Sequence, residues 1–286
     1  MLYIPRRKDT QEKTIMPQLA RDTNRIADEL LSFLNEGIEL NEIQRARYVR
    51  AANNHDSAER REAIFSLIYT LDGRRDCARQ HAMSALECMT EPATLAVSLL
   101  SLHLNKFHKD ALSVRADFDT CLEYPLYAVA FGPSIQAVPD FKSLMTIYES
   151  FTKVCVEDSR WDEAMEVIGM CKHYFSKAKE AEEKLQINAE ILDLITDFAA
   201  DVADTYAGVL MRSTTFELSP VGDAFDVLYK VQLDEEFEHE LVDLNLALAD
   251  RIIDADLDDL PLVARFSRLT EKAPCLSESL VLGVRK

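Results

Sequence analysis

Two arginine–histidine pairs stand out among the side chains able to do chemistry. Arg50 and His55 lie in "RAANNH", and Arg75 and His81 in "RDCARQH". Such pairs suit phosphodiester chemistry, because an imidazole can shuttle a proton while a guanidinium steadies charge on a phosphate in the transition state. Arginine is common along this chain, so matches at these offsets also arise by chance. Glu236 and His239, in "DEEFEHELVD", have the i, i+3 spacing of helical di-metal sites. A di-metal bundle needs a second such pair, and no other Glu-x-x-His occurs. Cys77, His81 and Cys88, or Cys171 with His173, offer soft ligands, yet structural zinc wants four ligands in paired short spacings. The sequence has no Gly-rich phosphate loop, no G-x-S-x-G and no H-E-x-x-H. The expectation is therefore no catalytic residue, no metal and no cofactor.

The elements that would have to position any site are helical. Only 7 Gly and 9 Pro occur in 286 residues, too few for the turns of many short strands. "PQLARDTNRIADELLSFLNEG" carries Leu19, Ile26, Leu30, Leu31 and Leu34 at helical spacing, with Pro17 at its start and Gly37 past its end. "ELNEIQRARYVRAANNHDS" reads as a second helix, stopped by Asn53, Asn54 and Asp56. A third should run from about Ala58 to Leu71, turn at Gly73, and give way to a fourth from Arg75 to Met89, closed before Pro92. Beyond Phe175 the pattern predicts one long amphipathic helix, with Leu185, Ile191, Ile195, Phe198, Val202 and Val209 at three- and four-residue steps. "TTFELSP" ends it, and shorter helices are expected near 221–231, 234–255 and 260–271.

No apolar run reaches the roughly 18 residues of a membrane span, and no secretory leader follows the first residues, so the chain is expected to be cytoplasmic. Six cysteines, at 77, 88, 121, 155, 171 and 275, stand singly and read as reduced, mostly buried thiols. The net charge of -18 is uneven: residues 1–80 hold 14 basic against 13 acidic side chains, and the remainder 18 against 37. Direct nucleic-acid binding is not expected, because phosphate recognition needs clustered positive charge. A partner with a basic surface, or simple solvation, fits the acidic part better.

An internal comparison organises the middle of the chain. Shifted by 33 residues, 66–92 lies over 99–125, matching Leu67 with Leu100, Leu71 with Leu104, Ala78 with Ala111, Cys88 with Cys121 and Pro92 with Pro125. A period near 34 is the mark of stacked helical hairpins. The first unit resembles the tetratricopeptide repeat: Ser66 takes the small position of the first helix, Tyr69 the aromatic, Gly73 the turn, Ala78 the small residue of the second helix, and Ala85-Leu86 the later pair. It departs from the pattern at Ala82, where an aromatic is expected, and Pro92 comes late; Arg115 and Phe118 depart in the next unit. Trp161, Glu163 and Ala164 resemble the opening of another second helix, after an irregular insertion near 125–142 holding three prolines and a glycine in "PLYAVAFGPSIQAVPDFK".

The expected architecture is all-α: N-terminal helices over 1–57, stacked helical hairpins of repeat or solenoid type over 58–176, then a long helix and an acidic C-terminal helical bundle over 177–286. The resemblance implies a non-enzymatic, protein-binding scaffold or adaptor whose groove is lined by first-helix side chains: Arg60, Ile64, Leu67 and Thr70, then Val97, Leu100 and His103. Its partner would be another protein or peptide. The long helix near 185–210 could instead pack against a second copy, giving a homodimer. The Arg-x(4–6)-His spacing also resembles an all-helical ribonuclease family, the higher eukaryote and prokaryote nucleotide-binding domain, which would make Arg75 and His81 catalytic. A third reading is an acidic decoy, in which residues 234–259 imitate nucleic-acid charge.

Overall fold

Caps and turns set out the N-terminal helices. In the computed structural model α1 (Gln18–Glu36), α2 (Glu42–Asn53), α3 (Ala58–Leu71), α4 (Arg75–Glu87), α5 (Pro92–Leu104) and α6 (His108–Asp117) follow one another with short connections. The structure describes residues 18–117, 161–206, 211–221, 224–233 and 235–268, with the pieces 130–131, 134–135 and 137–142 and the single residues 144 and 148. Asn41 and Gln44 form a reciprocal capping box at the start of α2, with bonds of 3.0 and 2.9 Å. The Ser57 hydroxyl accepts from the Arg60 N–H at the start of α3, and Pro92 occupies the first turn of α5.

Three of these helices end alike. After α1, α3 and α5 the chain passes through a left-handed residue, Gly37 (φ 63°), Gly73 (φ 66°) and Lys106 (φ 67°). In each turn the two N–H groups at and after that residue bond back to the last helical turn: Ile38 to Phe33, Arg74 to Tyr69 and Phe107 to Leu102, each at 2.9 Å. Lys106 lacks glycine's freedom in that conformation; its Nζ lies 4.7 Å from the Phe237 ring centroid.

Helix α3 is the centre of the N-terminal packing and touches α1, α2, α4 and α5. It buries Ile64, Leu67 and Ile68 against Leu30 and Leu31 of α1 and Leu95 and Leu99 of α5. Full burial of each such side chain stabilises the fold by about 2 kcal/mol. Opposite it α4 presents Ala78, Ala82 and Ala85, all fully buried, so the two backbones approach closely.

The C-terminal part corrects the all-α expectation. Residues 161–206 form α7 (Trp161–Leu185) and α8 (Ala189–Thr205), not one continuous helix. Gln186 is left-handed (φ 60°), Ile187 is fully buried, and Asn188 caps α8 by accepting from the Ile191 N–H at 3.0 Å. The segments expected as helices near 221–231 and 260–271 contribute strands: β1 (Met211–Val221), β2 (Ala224–Leu233) and β3 (Leu262–Arg268) form a sheet of order β1-β2-β3. A 3-10 turn (Glu235–Glu240) and α9 (Leu241–Asp254) lie between β2 and β3, within the helix expected at 234–255. The pairing β1-β2 is antiparallel and β2-β3 parallel. Strand period 2 overrode the helical reading: Val227, Tyr229, Val231 and Leu233 are fully buried, while Leu228, Lys230 and Gln232 between them are half-buried. Val221 pairs with Ala224 at the end of the β1-β2 ladder. Of the expected insertion near 125–142, the described residues are 130–131, 134–135 and 137–142, most of them buried; Cys121, Cys155 and Cys275 lie outside the described residues.

Two phenols tie the sheet to the helices. The Tyr174 hydroxyl of α7 donates to the Thr214 carbonyl, and the Tyr229 hydroxyl lies 2.7 Å from that of Thr196 on α8. Burial pushes the Tyr174 phenol up to about 12 and raises that of Tyr229 as well. The open edge of β3 is met by α9: the Asn245 amide donates to the Phe266 carbonyl (3.1 Å) and accepts from its N–H (2.8 Å), as a neighbouring strand would.

Helix α8 is the hub between the two parts. It buries Leu192, Ile195, Ala199, Ala200, Val202 and Ala203, and places Asp193, Asp197, Asp201 and Asp204 along its other side. The Asp204 carboxylate accepts from the N–H groups of His108 (2.8 Å) and Lys109 (2.9 Å), the first residues of α6. Asp193 does the same for Phe141 (2.6 Å) and Lys142 (3.3 Å). Asp197 pairs with Lys109 at 2.7 Å, and Asp201 with Arg251 of α9 at 2.6 Å. One buried apolar cluster runs from Ile26 to Phe266. No helix among the described residues is long and apolar enough to cross a membrane.

Glycine substitutions test the turn geometry. Gly73 and Gly169 both have open space where a Cβ would sit, but only Gly73 has positive φ. Gly73→Ala should destabilise by about 1 kcal/mol, and Gly169→Ala, inside α7, should stabilise by about 0.5–1 kcal/mol, both read as urea midpoints. Equal signs would contradict the turn described for Gly73.

Candidate functional site

The arginine–histidine pairs do not converge. Arg75 Nε donates to the Asn105 carbonyl at 2.8 Å, and its guanidinium lies 5.2 Å from the Phe107 centroid in the α5–α6 turn. His81, six residues on, faces α3: its Nδ1 hydrogen-bonds Glu62 Oε2 at 2.6 Å, and its ring stacks on Tyr69 at 5.0 Å. His55 Nδ1 accepts from the Ser57 N–H, and its pKa is lowered by burial and by the nearby Arg60 charge. Arg50 is exposed on α2. Neither pair presents a guanidinium and an imidazole to one common space.

The soft-ligand sets are similarly dispersed. Cys77 Sγ accepts from Arg74 Nη2 at 3.3 Å while His81 is committed to Glu62, and Cys88 is exposed at the end of α4, contrary to the buried thiol expected there. Cys171 is fully buried, as expected. His239 is exposed, 3.5 Å from Glu240. Among the described residues no group of three or more His, Cys, Asp or Glu is arranged to hold a metal ion.

The seven groove positions divide. Arg60, Ile64, Leu67 and Val97 come together around one pocket of about 40 Å³ between α1, α3 and α5, completed by Ala27, Ala63, Glu91, Ala93 and Thr94. That is far below the several hundred Å³ of a small-molecule site and suits one short aliphatic side chain. At its rim Arg60 Nε donates to Glu91 Oε2 at 2.7 Å, with a second bond from Nη2 to Oε1. Glu59, one residue earlier, is buried and accepts from the N–H and hydroxyl of Thr90. Ile64 and Leu67 are 2% and 0% exposed, so they form the floor of the pocket and the core at once. Glu91, Ala93 and Thr94 escaped the sequence reading. Their one signal was Pro92, which marks the start of a helix and so the place where its first turn meets the neighbouring hairpin.

Thr70, Leu100 and His103 lie elsewhere. Leu100 and His103 are 2% and 1% exposed and do not border that pocket. Thr70 donates to the Ser66 carbonyl and accepts from Asn105 Nδ2, both at 2.7 Å, and its hydroxyl lies 3.1 Å from that of Ser101. The physical reason is the stacking itself: the side of each first helix that meets the next hairpin is closed by it.

His103 instead belongs to a buried polar cluster. His108 Nε2 accepts from the Met211 N–H at 3.4 Å, which leaves its proton on Nδ1. Nδ1 then donates to His103 Nδ1 at 3.0 Å, and His103 Nε2 donates to Ser134 Oγ at 2.8 Å. Hydrogen bonds through the two imidazoles thus link α5, α6, residue 134 and β1. Asp204 lies beside them, capping α6, and burial pushes its carboxyl up to about 6 although the His108 and Lys109 N–H groups favour the anion.

Comparison with known protein families, curated proteins and solved structures found no match for this chain. What fold and site define is a mostly helical protein with a small three-stranded sheet and a shallow apolar pocket among its first helices.

Asp204 supplies the pH test. Its folded pKa, about 6, lies above the ordinary 3.8, so its contribution to stability is complete below about 4 and is lost as pH rises through 6. In urea titrations from pH 4 to 7, wild type should gain stability relative to Asp204→Asn as pH falls through that window. A difference that stays constant with pH would show that Asp204 does not titrate there.

Proposed function

We propose that the chain is a non-enzymatic protein-binding scaffold of helical-repeat type, resembling tetratricopeptide-repeat proteins. It would hold an aliphatic side chain of a partner in the pocket between α1, α3 and α5. The observation that carries this reading is the convergence of Arg60, Ile64, Leu67 and Val97 on one pocket whose rim is a bidentate ion pair. An apolar floor supplies affinity by area removed from water, and the flanking guanidinium and carboxylate can orient the polar backbone of an entering peptide.

The repeat character draws support from equivalences along the chain. The left-handed turn residues Gly73 and Lys106 stand 33 apart, as do the fully buried Ala78 and Ala111. The cross-links Glu59–Thr90, Arg60–Glu91, Thr70–Ser101 and Arg79–Asp110 are each 31 residues apart, so successive hairpins grip one another in the same register. Exposed Asp243, Asp250, Asp254, Asp256, Asp258 and Asp259 give the far part of the chain an acidic surface suited to a partner with basic groups.

Ala93 is exposed at the mouth of the pocket, so a large side chain there can plug it without entering the core. The full-length protein and Ala93→Trp, tagged and used to capture proteins from the source cells, should give sets differing by the specific partner. Isothermal titration with that partner should show at least about a tenfold loss of affinity, or 1.4 kcal/mol. An unchanged captured set and unchanged affinity, with the variant folded by circular dichroism, would refute the pocket as the binding site.

A further inference from the structure

Helix α9 carries an apolar seam on its outward side. Leu244 and Leu248 are fully buried, while Val242, Leu246 and Ile253 are 69%, 60% and 53% exposed. With the exposed Ala249 they fall at i, i+4, i+7 and i+11, the alternating four- and three-residue steps of the d and a positions of a two-stranded coiled coil. The seam is about 17 Å long, three turns of helix. In its register Asp243 and Asp250, both exposed, take the two e positions, and the exposed Asp254 continues the same flank. The other flank holds Ile252 and Asn245, the latter hydrogen-bonded to Phe266 of β3. Arg251 is the only cation on the helix, and it pairs with Asp201 of α8 at 2.6 Å. Among the described residues no cation pairs with Asp243, Asp250 or Asp254. Scattered apolar side chains on a surface need no explanation, but a row at coiled-coil spacing beside unanswered charge does.

We propose that this seam docks a cationic amphipathic helix of another protein, with apolar side chains at its own a and d positions and Lys or Arg on the flank that meets Asp243 and Asp250. Charge complementarity selects that occupant. The apolar row supplies area to remove from water, and the charges at e choose which helix may cover it. Asp256, Asp258 and Asp259, also exposed, stand just past the C-terminal end of α9, where the helix dipole is itself negative, so the field along the whole seam attracts cations. A second copy of the chain is the wrong partner. In an antiparallel pair of α9 helices the e positions face each other, and aspartate meets aspartate. In a parallel pair each e position faces a g position, here Asn245 or Ile252, and again no cation answers. The seam rests on the protein-binding reading above and gives its acidic surface a partner class, but it shares no residue with the pocket between α1, α3 and α5.

A synthetic helix tests this against the full-length chain. The probe is a fluorescein-labelled peptide of about three heptads, with Leu at a and d and Lys at e and g, and its binding is followed by fluorescence anisotropy. Affinity should fall by at least about tenfold, or 1.4 kcal/mol, when Glu replaces Lys at e and g. It should fall as far when the residues of the peptide are scrambled, which keeps the charge and destroys the stripe. On the protein, Val242→Gln with Leu246→Gln should weaken binding by about tenfold or more, and Ile253→Gln is the second variant should that pair not fold by circular dichroism. Asp243→Asn with Asp250→Asn should cost about threefold and flatten the salt dependence. No binding, equal binding of the scrambled peptide, or an affinity indifferent to the seam variants would overturn the proposal. Dimerisation of the protein alone in sedimentation velocity, abolished by the seam variants, would overturn it in favour of a second copy. Ala93→Trp plugs the other pocket and should leave peptide affinity unchanged, so failure at one surface is told apart from failure at the other; loss of peptide binding in Ala93→Trp would seat the helix in that pocket and overturn the seam.

Discussion

The structure depends on a carboxylate placed at the positive end of a helix that belongs to another part of the chain. Asp204 and Asp193, both on α8, each close over two backbone N–H groups, at the start of α6 and at Phe141-Lys142. These are the groups a helix N-terminus leaves without intrahelical partners, and the local dipole favours a negative charge there, an effect that burial outweighs at Asp204. Helices α2, α3 and α8 are capped by their own neighbouring residues, Asn41, Ser57 and Asn188. Capping from a distant helix fixes the position of two elements at once. With Asp197 on Lys109 and Asp201 on Arg251, one stripe of four aspartates fastens the N-terminal hairpins, the middle pieces and α9 to a single helix.

That arrangement explains the cluster that grows around it. Once α6 is held by Asp204, His108 is fixed between α5 and the start of β1, and its hydrogen bonds run from the Met211 N–H through His103 to Ser134. A buried polar group left without a partner costs about 1–3 kcal/mol, so such a chain of bonds is stable as a whole and unforgiving of partial loss. The polar interior therefore serves to register the helical and β parts against each other, and histidines that look chemical in sequence become structural. His81, stacked on Tyr69 and bound to Glu62, tells the same story at the α3–α4 interface.

The surface is left with what the interior does not consume. Around α3 and α5 this is a shallow apolar pocket under an ion pair, and on α9 it is an apolar row beside exposed aspartates. Acidity in this protein has two fates. The aspartates of α8 are internal fasteners, while those between 243 and 259 face solvent. Net charge alone, or its division between the two parts of the chain, does not separate these fates, since both kinds of aspartate lie in the acidic portion.

The sequence by itself determined the local elements of the N-terminal half. Cap residues, left-handed glycines and 3.6-residue periodicity act within a few residues, so α1 to α5 begin and end near where those signals stand, and the 33-residue shift pairs Leu67 with Leu100 and Ala78 with Ala111, all buried. A local signal for the sheet was also present, in the alternation from Val227 to Leu233, but the short apolar runs fit a helical reading too, and strand pairing is a non-local choice. Only the tertiary structure decided that β2 would pair with β3 across an intervening helix, and that α8 would cap helices some fifty and ninety-six residues away. It likewise decided that Leu100 and His103 would be enclosed while Glu91 and Ala93 would border a pocket. Burial and charge pairing depend on what arrives opposite a residue, and neighbours along the chain do not specify that.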